Sequence, residues 1–210
     1  NGVDPDLTQQ LSHTIEQLIQ ALAECKKYLK KRKFNALQKW LGIDLDYGSS
    51  QVEYYQRLDR LLDQADHLSR KLQIEIQKSQ SRFQQLLGLR EQMAKHIVAA
   101  DEFLSEYPLF VKNQHPLDNF SERLSKKINT LRTLQSSNDI AITQMQLSQQ
   151  LSFSLLDRFK EAQQVLIPAW QYHVKQSQTK HSTSDLEKLD NSRESLIKTL
   201  KKSLEKPSKT

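Results

Sequence analysis

Apolar residues recur every three or four positions over most of this chain. The longest such run covers residues 118–178, and its spacing places one apolar stripe along one side of a helix. A helix of about 60 residues would be roughly 90 Å long at about 1.5 Å per residue. The pattern therefore predicts an elongated molecule. The stripe comprises Phe120, Leu124, Ile128, Leu131, Leu134, Ile142, Met145, Leu155, Phe159, Leu166 and Trp170.

The same criterion predicts three further helices. The first starts at Asp4 and Pro5, which are favoured at a helix N-terminus, and runs to about Lys33. The second starts at Ser49 or Ser50 and runs to residue 107, with a mean apolar step close to 3.5 residues, which is typical of helices packed lengthwise. The last covers residues 184–206. Loops are predicted over residues 44–50 and 108–116.

These elements predict an all-α fold. Two very long helices joined by a short connection must lie antiparallel, and the shorter N- and C-terminal helices can cover their open side. We expect one elongated bundle domain over residues 1–210, three helices in cross-section. The two terminal helices would share the third position end to end, and about residues 207–210 would form a disordered tail.

Composition agrees with a helical protein. The chain has four glycines, five prolines, 37% hydrophobic residues and 27% charged residues. Tight strand turns and phosphate-binding loops need more glycine than this, whereas a thin bundle has much surface for little core. No apolar run reaches the roughly 20 residues that span a bilayer. The sequence shows no signal-peptide pattern and no initiator methionine, so we expect a trimmed chain that acts in the cytoplasm.

No catalytic, metal or cofactor site is predicted. Cys25 is the single cysteine, and it lies in step with Leu18 and Leu22, which favours a small buried apolar role. No two of the six histidines have the i, i+4 spacing of a helical metal pair. The carboxylates near Asp63 alternate with arginines, which indicates surface ion pairs rather than acid–base chemistry.

A basic cluster is the first candidate binding site. It lies at the end of the first helix, and no acid stands between Glu24 and Asp44. Such positive charge can hold an anionic surface or a partner's acidic patch. A solvated face that complements the helix dipole is the alternative. The cluster comprises Lys26, Lys27, Lys30, Lys31, Arg32 and Lys33.

Pro168 is the second candidate. A proline inside a helix lacks one hydrogen bond and crowds the carbonyl of Gln164, so we expect a kink there. Trp170 follows two residues later. The pair is interpreted either as a bend with Trp170 filling the core, or as a hinge and docking site. The same helix carries a segment rich in glutamine and serine, residues 144–154, whose side chains can hydrogen-bond across helices.

Four segments resemble the TelA family of toxic-anion (tellurite) resistance proteins, in the family's order and over most of the chain. The glutamine-rich helix running into Pro-x-Trp is the most specific of them. The segment between Val174 and Ser184 is shorter than the family's usual helical continuation. The four are FNALQKWLG from Phe34, YYQRLDRLLDQADHLSRKL from Tyr54, ITQMQLSQQLSFSLLDRFKEAQQVLIPAWQYHV from Ile142 and DLEKLDNSRESLIKTLKKSLE from Asp185.

The resemblance implies a cytoplasmic, all-helical bacterial protein associated with tellurite resistance and cell-envelope stress, with no established enzymatic activity or catalytic residues. Tellurite reduction would need reactive thiols or a redox cofactor, and Cys25 alone offers neither. We therefore expect a non-enzymatic protein that binds protein partners. The alternative is a bundle that binds an anionic membrane or polyanion through the basic cluster. Specific nucleic-acid recognition is not expected, and self-association stays open.

Overall fold

The computed structural model describes residues 2–29, 43–110, 119–179 and 183–205, without the side chains of 26–29, 43–50, 107–110, 177–179 and 183. The described residues form helices and no strand, so the prediction of an all-α fold is confirmed. The helices are α1 (Pro5–Leu29), α2 (Ile43–Phe110), α3 (Phe120–Glu161), α4 (Ile167–Thr179) and α5 (Thr183–Leu204). A π-helical turn, Ala162–Leu166, lies between α3 and α4.

The predicted start of the first helix holds, whereas the predicted start and end of the second are wrong. α1 begins at Pro5, and the Asp4 carboxylate accepts a hydrogen bond from the Asp6 N–H (3.0 Å). α2 begins at Ile43, so the loop predicted over 44–50 is helical. Acidic residues in a first turn favour the helix N-terminus, and Asp44 and Asp46 occupy that turn. α2 continues to Phe110, so the loop predicted over 108–116 is helical at 108–110, and its remainder, 111–116, lies outside the described residues.

The residues fall into two compact units, each described by itself. The hairpin unit comprises Asn1–Val3 and Ile76–Gln150, and the bundle unit comprises Asp4–Glu75 and Leu151–Thr210. The single domain predicted over residues 1–210, and its elongated shape, stay predictions.

The hairpin unit consists of two antiparallel helical segments. Hydrogen bonds and ion pairs join Gln149 to Ser79, Asp139 to Arg90, and Arg132 to Asp101, so residue numbers fall on α3 as they rise on α2. The seam between them buries few large apolar side chains. They are Ile76, Ile97, Ile128, Ile142 and Met145, with Val3 beside them.

The bundle unit packs four helical segments. α5 contacts both α1 and α4, and α3 contacts α2 through the Lys160 Nζ bond to Gln73 Oε1 (2.7 Å). The terminal helices α1 and α5 lie side by side here, and the Arg193 guanidinium donates to the Leu22 carbonyl (3.4 Å). The predicted end-to-end placement is therefore wrong in this unit, because each helix has an apolar stripe that the other can cover.

The core of the bundle unit follows the predicted stripes closely. On α1, Leu11, Ile15 and Leu18 recur at steps of four and three residues and are fully buried. Phe159 and Trp170 on the long helical segment are 1% and 2% exposed. Among the described residues no helix is long and apolar enough to cross a membrane.

Candidate functional site

The predicted basic cluster is only partly within the described structure. Lys26 and Lys27 lie in the last turn of α1, where the backbone is helical and the side chains are not described. Residues 30–33, with the other four basic side chains, lie outside the described residues. Binding by this cluster therefore stays a prediction from the sequence.

The predicted distortion at Pro168 takes the form of a π-helical turn directly before the proline. The Ile167 N–H bonds to the Ala162 carbonyl, five residues back instead of four. The wider turn accommodates a residue that has no N–H and whose ring would crowd the carbonyl of Gln164. π turns are frequent at functional sites. The interpretation of Pro168 as a hinge stays a prediction, and the π turn is the place where the helix would bend.

Trp170 lies in the core of the bundle unit, where only 2% of it is exposed. A docking side chain has to reach a partner, so this burial supports the alternative in which Trp170 fills the core. Its indole Nε1–H is buried without a hydrogen-bond partner in the structure. An unpaired buried donor costs roughly 1–3 kcal/mol, which makes this end of the core less favourable than its packing suggests.

The glutamine- and serine-rich segment makes the predicted hydrogen bonds across helices. In the hairpin unit Gln149 Nε2 donates to Ser79 Oγ (2.9 Å). In the bundle unit the hydroxyls of Ser152 and Thr8 are 3.1 Å apart. Ser79 and Ser152 are almost fully buried, so these polar contacts replace apolar packing at both places.

A buried polar centre in the bundle unit was missed by the sequence analysis. The Tyr54 hydroxyl donates to the Ala21 carbonyl (2.7 Å), and Cys25 beside it is fully buried. Arg193, 6% exposed, donates to Asp190 Oδ1 from Nε (3.0 Å) and Nη2 (2.6 Å). The one available signal was the position of Arg193 between Leu189 and Leu196, on the apolar side of its helix.

This centre suppresses thiol chemistry. Burial raises the pKa of the Cys25 thiol, although the neighbouring Tyr54 side chain and the charge of Arg193 act in the opposite direction. Burial also raises the pKa of the Tyr54 phenol. Since the thiolate is the reactive form of cysteine, a buried neutral thiol is a poor nucleophile and a poor metal ligand. The prediction of a structural role for Cys25 agrees with this geometry.

Large apolar side chains are exposed on the hairpin unit. There the exposed ones outnumber those buried, whereas in the described part of the bundle unit the buried ones predominate. Two members of the predicted apolar stripe are exposed, Phe120 at 37% and Leu134 at 53%, whereas Gln135 beside Leu134 is partly buried. The exposed set is Leu87, Leu89, Val98, Phe103, Phe120, Leu134, Ile140 and Leu147.

The described fold and sites define an all-helical protein with a well-packed four-helix unit and an incompletely covered helical hairpin. Comparison with known proteins finds a distant relative. The chain is 28% identical over 170 residues to protein KlaA of Escherichia coli. The match covers 78% of this chain and 65% of KlaA. No family model and no solved structure matches the chain.

Proposed function

We propose that this chain is a non-enzymatic interaction protein of the toxic-anion resistance type, which acts by binding a protein partner. The observation that carries the proposal is the exposure of large apolar side chains on the hairpin unit. Contiguous exposed apolar surface commonly marks an interaction site. The resemblance of the sequence to the TelA family and its similarity to KlaA supply the link to tellurite resistance.

The chemistry of Cys25 supports a role other than catalysis. Reduction of tellurite consumes electrons, which thiols could donate only as thiolates at an accessible surface. Cys25 is fully buried and its pKa is raised. This thiol is therefore unsuited to the reaction.

Two measurements test the proposal together. Expression of the chain should raise the tellurite concentration that inhibits growth, and Cys25→Ala should retain that effect. The purified chain, given a thiol donor or a nicotinamide reductant, should reduce tellurite no faster than the donor alone. Faster reduction would contradict the non-enzymatic role, and unchanged inhibition by tellurite would contradict the link to resistance.

The alternative function, binding of an anionic membrane or polyanion through residues 26–33, stays a prediction from the sequence. Replacing Lys26, Lys27, Lys30 and Lys31 with glutamine should abolish salt-sensitive retention on anionic vesicles if the alternative is correct. Vesicle retention that is absent in the unmodified chain would remove it.

A further inference from the structure

One edge of the helical hairpin carries two lines of residues, one on each helix. Along α2, Leu89, His96 and Phe103 are spaced by seven residues, and along α3, Phe120, Lys127 and Leu134 are spaced by seven as well. This spacing places each set along one line of its helix. His96 directly precedes buried Ile97, and Lys127 directly precedes buried Ile128, so both lines run beside the seam. We call these six residues the apolar edge.

The rings of Phe103 and Phe120 show that the two lines lie on the same side of the hairpin. Their centroids are 6.1 Å apart in an edge-to-face arrangement. Other side chains cross the seam through ion pairs, Arg132 with Asp101 and Arg90 with Asp139. The charges of these pairs are satisfied within the hairpin, whereas the apolar edge presents large side chains to solvent.

The exposure of the apolar edge is substantial. Leu89 is 52% exposed, Phe103 44%, Phe120 37% and Leu134 53%. These side chains alternate between the two helices and form one row. Two antiparallel helices that both expose a second apolar line beside their seam can accommodate a further helix in the groove between them.

The charge along this edge is positive. Continuing the spacing of seven adds Arg82 on α2, so Arg82 and Lys127 both lie on these lines, and neither forms an ion pair with the described residues. No aspartate or glutamate occupies either line between residues 76 and 150. Just outside the lines, the positive charge of Arg123 is matched by one acid, Glu106. A helix docked here would therefore gain from acidic residues beside its apolar stripe.

The edge is already covered at one end by a segment of this chain. Two steps of seven beyond Leu134, Ser148 donates a hydrogen bond to the Val3 carbonyl (3.4 Å). Val3 is 3% exposed, and a Cβ added at Gly2 would meet Ser148 at 3.0 Å. The edge thus takes a peptide segment at Ser148 and continues exposed toward Phe120, over roughly 42 Å of helix at about 1.5 Å per residue.

We propose that the apolar edge docks an amphipathic helix of a partner protein whose apolar stripe is flanked by aspartate or glutamate. This rests on the proposed partner-binding function and names the surface and the chemistry of the partner. A second copy of the chain fits less well, because two basic edges would face each other. A flat membrane surface also fits less well, since the exposed side chains line a groove between two helices.

Two synthetic helical peptides test the proposal. Each carries the same leucine heptads over about 28 residues, flanked by glutamate in one peptide and by lysine in the other. Fluorescence anisotropy should show the glutamate peptide binding the full chain at least about tenfold more tightly. The variant Leu89→Gln/Leu134→Gln should lose about tenfold in affinity, which corresponds to about 1.4 kcal/mol. Arg82→Gln/Lys127→Gln should reduce the preference for the glutamate peptide.

A matched control uses Ile140→Gln/Leu147→Gln. These two side chains are 60% and 57% exposed, and they lie six and thirteen residues after Leu134, away from its line on α3. Affinity for the glutamate peptide should stay within about twofold of the unmodified chain. Unfolding midpoints of all three double variants, measured by circular dichroism, should match the unmodified chain.

Three results would overturn the proposal. They are equal binding of the two peptides, equal loss of affinity in the edge and control variants, and edge-dependent binding that appears only with the chain itself or with anionic vesicles. Sedimentation measures self-association of the chain, and vesicle flotation measures binding to anionic vesicles. Any of these would leave partner binding at another surface open. The proposed function fails separately, if the purified chain reduces tellurite or if its expression gives no resistance.

Discussion

The bundle unit and the hairpin unit are built from the same kind of helix and differ in the number of neighbours that each helix has. In the bundle unit four helical segments pack together, so Phe159 and Trp170 are almost fully enclosed. In the hairpin unit two segments share one seam, and Phe103 and Leu134 stay about half exposed. The same apolar periodicity therefore gives a closed core in one unit and an exposed apolar surface in the other.

Polar contacts sharpen this difference. The bundle unit buries a network in which Tyr54 and Arg193 bond to backbone carbonyls of α1. The hairpin unit joins its helices through partly exposed ion pairs and through Asn138 Nδ2, which donates to the Leu86 carbonyl (3.2 Å). Exposed ion pairs contribute little, roughly 0–1 kcal/mol each. We therefore expect the bundle unit to carry most of the stability and the hairpin unit to open more readily.

The largest effect should come from truncating phenylalanine in the two units. Phe159→Ala removes a ring that is 1% exposed and should cost about 3–5 kcal/mol. Phe103→Ala removes one that is 44% exposed and should cost less than about 1 kcal/mol. Urea unfolding followed by circular dichroism measures both. Similar losses in the two variants would mean that the units are equally well packed.

Removal of the buried guanidinium should have the next largest effect. Arg193→Met removes the bonds from the buried guanidinium to the Leu22 carbonyl and to Asp190 Oδ1, and should destabilise the bundle unit by roughly 2–4 kcal/mol. The matched change Arg57→Met breaks an exposed pair with Glu24 and should cost less than about 1 kcal/mol. Tryptophan fluorescence during urea unfolding reports the difference. A stabilised Arg193→Met variant would show that apolar packing is better here than the ion pair.

Thiol labelling compares how readily the two units open. Cys25 and Ser79 are 0% and 1% exposed, one in each unit. The variant Ser79→Cys, made in a Cys25→Ala background, should react with a thiol reagent about 100-fold faster than Cys25 does in the unmodified chain. This ratio corresponds to a free energy of opening that is about 2.7 kcal/mol lower for the hairpin unit than for the bundle unit. Labelling in concentrated urea gives the intrinsic rate of each thiol. Equal protection under native conditions would contradict an easily opened hairpin.

The pKa of Cys25 predicts a smaller effect of pH on the bundle unit. Because burial raises this pKa in the folded state, the folded chain keeps a proton that the unfolded chain releases at alkaline pH. Stability should be constant below the unfolded pKa, near 9, and fall above it by at most about 1.4 kcal/mol per pH unit until the folded pKa is reached. Cys25→Ala should lose less stability over the same range. If stability falls equally with pH in the unmodified chain and in Cys25→Ala, this thiol makes no contribution to the pH dependence of stability.

The smallest effect should come from Gly88 in the hairpin unit. A Cβ at this helical position meets no atom within 4 Å, so Gly88→Ala should stabilise the helix by roughly 0.5–1 kcal/mol. Hydrogen exchange of the neighbouring amides measures the gain within the hairpin. A destabilised variant would show that the glycine has a contact or a conformation that the structure does not place there.

The periodicity of apolar residues was sufficient to predict which segments are helical and which side chains fill the bundle core, since a stripe such as Leu11, Ile15 and Leu18 depends only on helical geometry. It was not sufficient at the start of α2, where acidic residues in the first turn favour a helix over the predicted loop. Nor could the periodicity show that Leu134 lies outside the seam. Adjacent residues on a helix point about 100° apart, and only the position of the neighbouring helix decides which of the two faces it.

The sequence by itself therefore determined an all-α protein with two very long helical segments, and it indicated the proline before which the structure has a π-helical turn. The tertiary structure alone decided that α1 and α5 lie side by side, that Cys25, Tyr54 and Arg193 meet in one buried centre, and that the hairpin exposes a basic apolar edge. These features bring together residues far apart in sequence. Their contacts depend on which helix faces are paired, and a single helical stripe is compatible with several pairings.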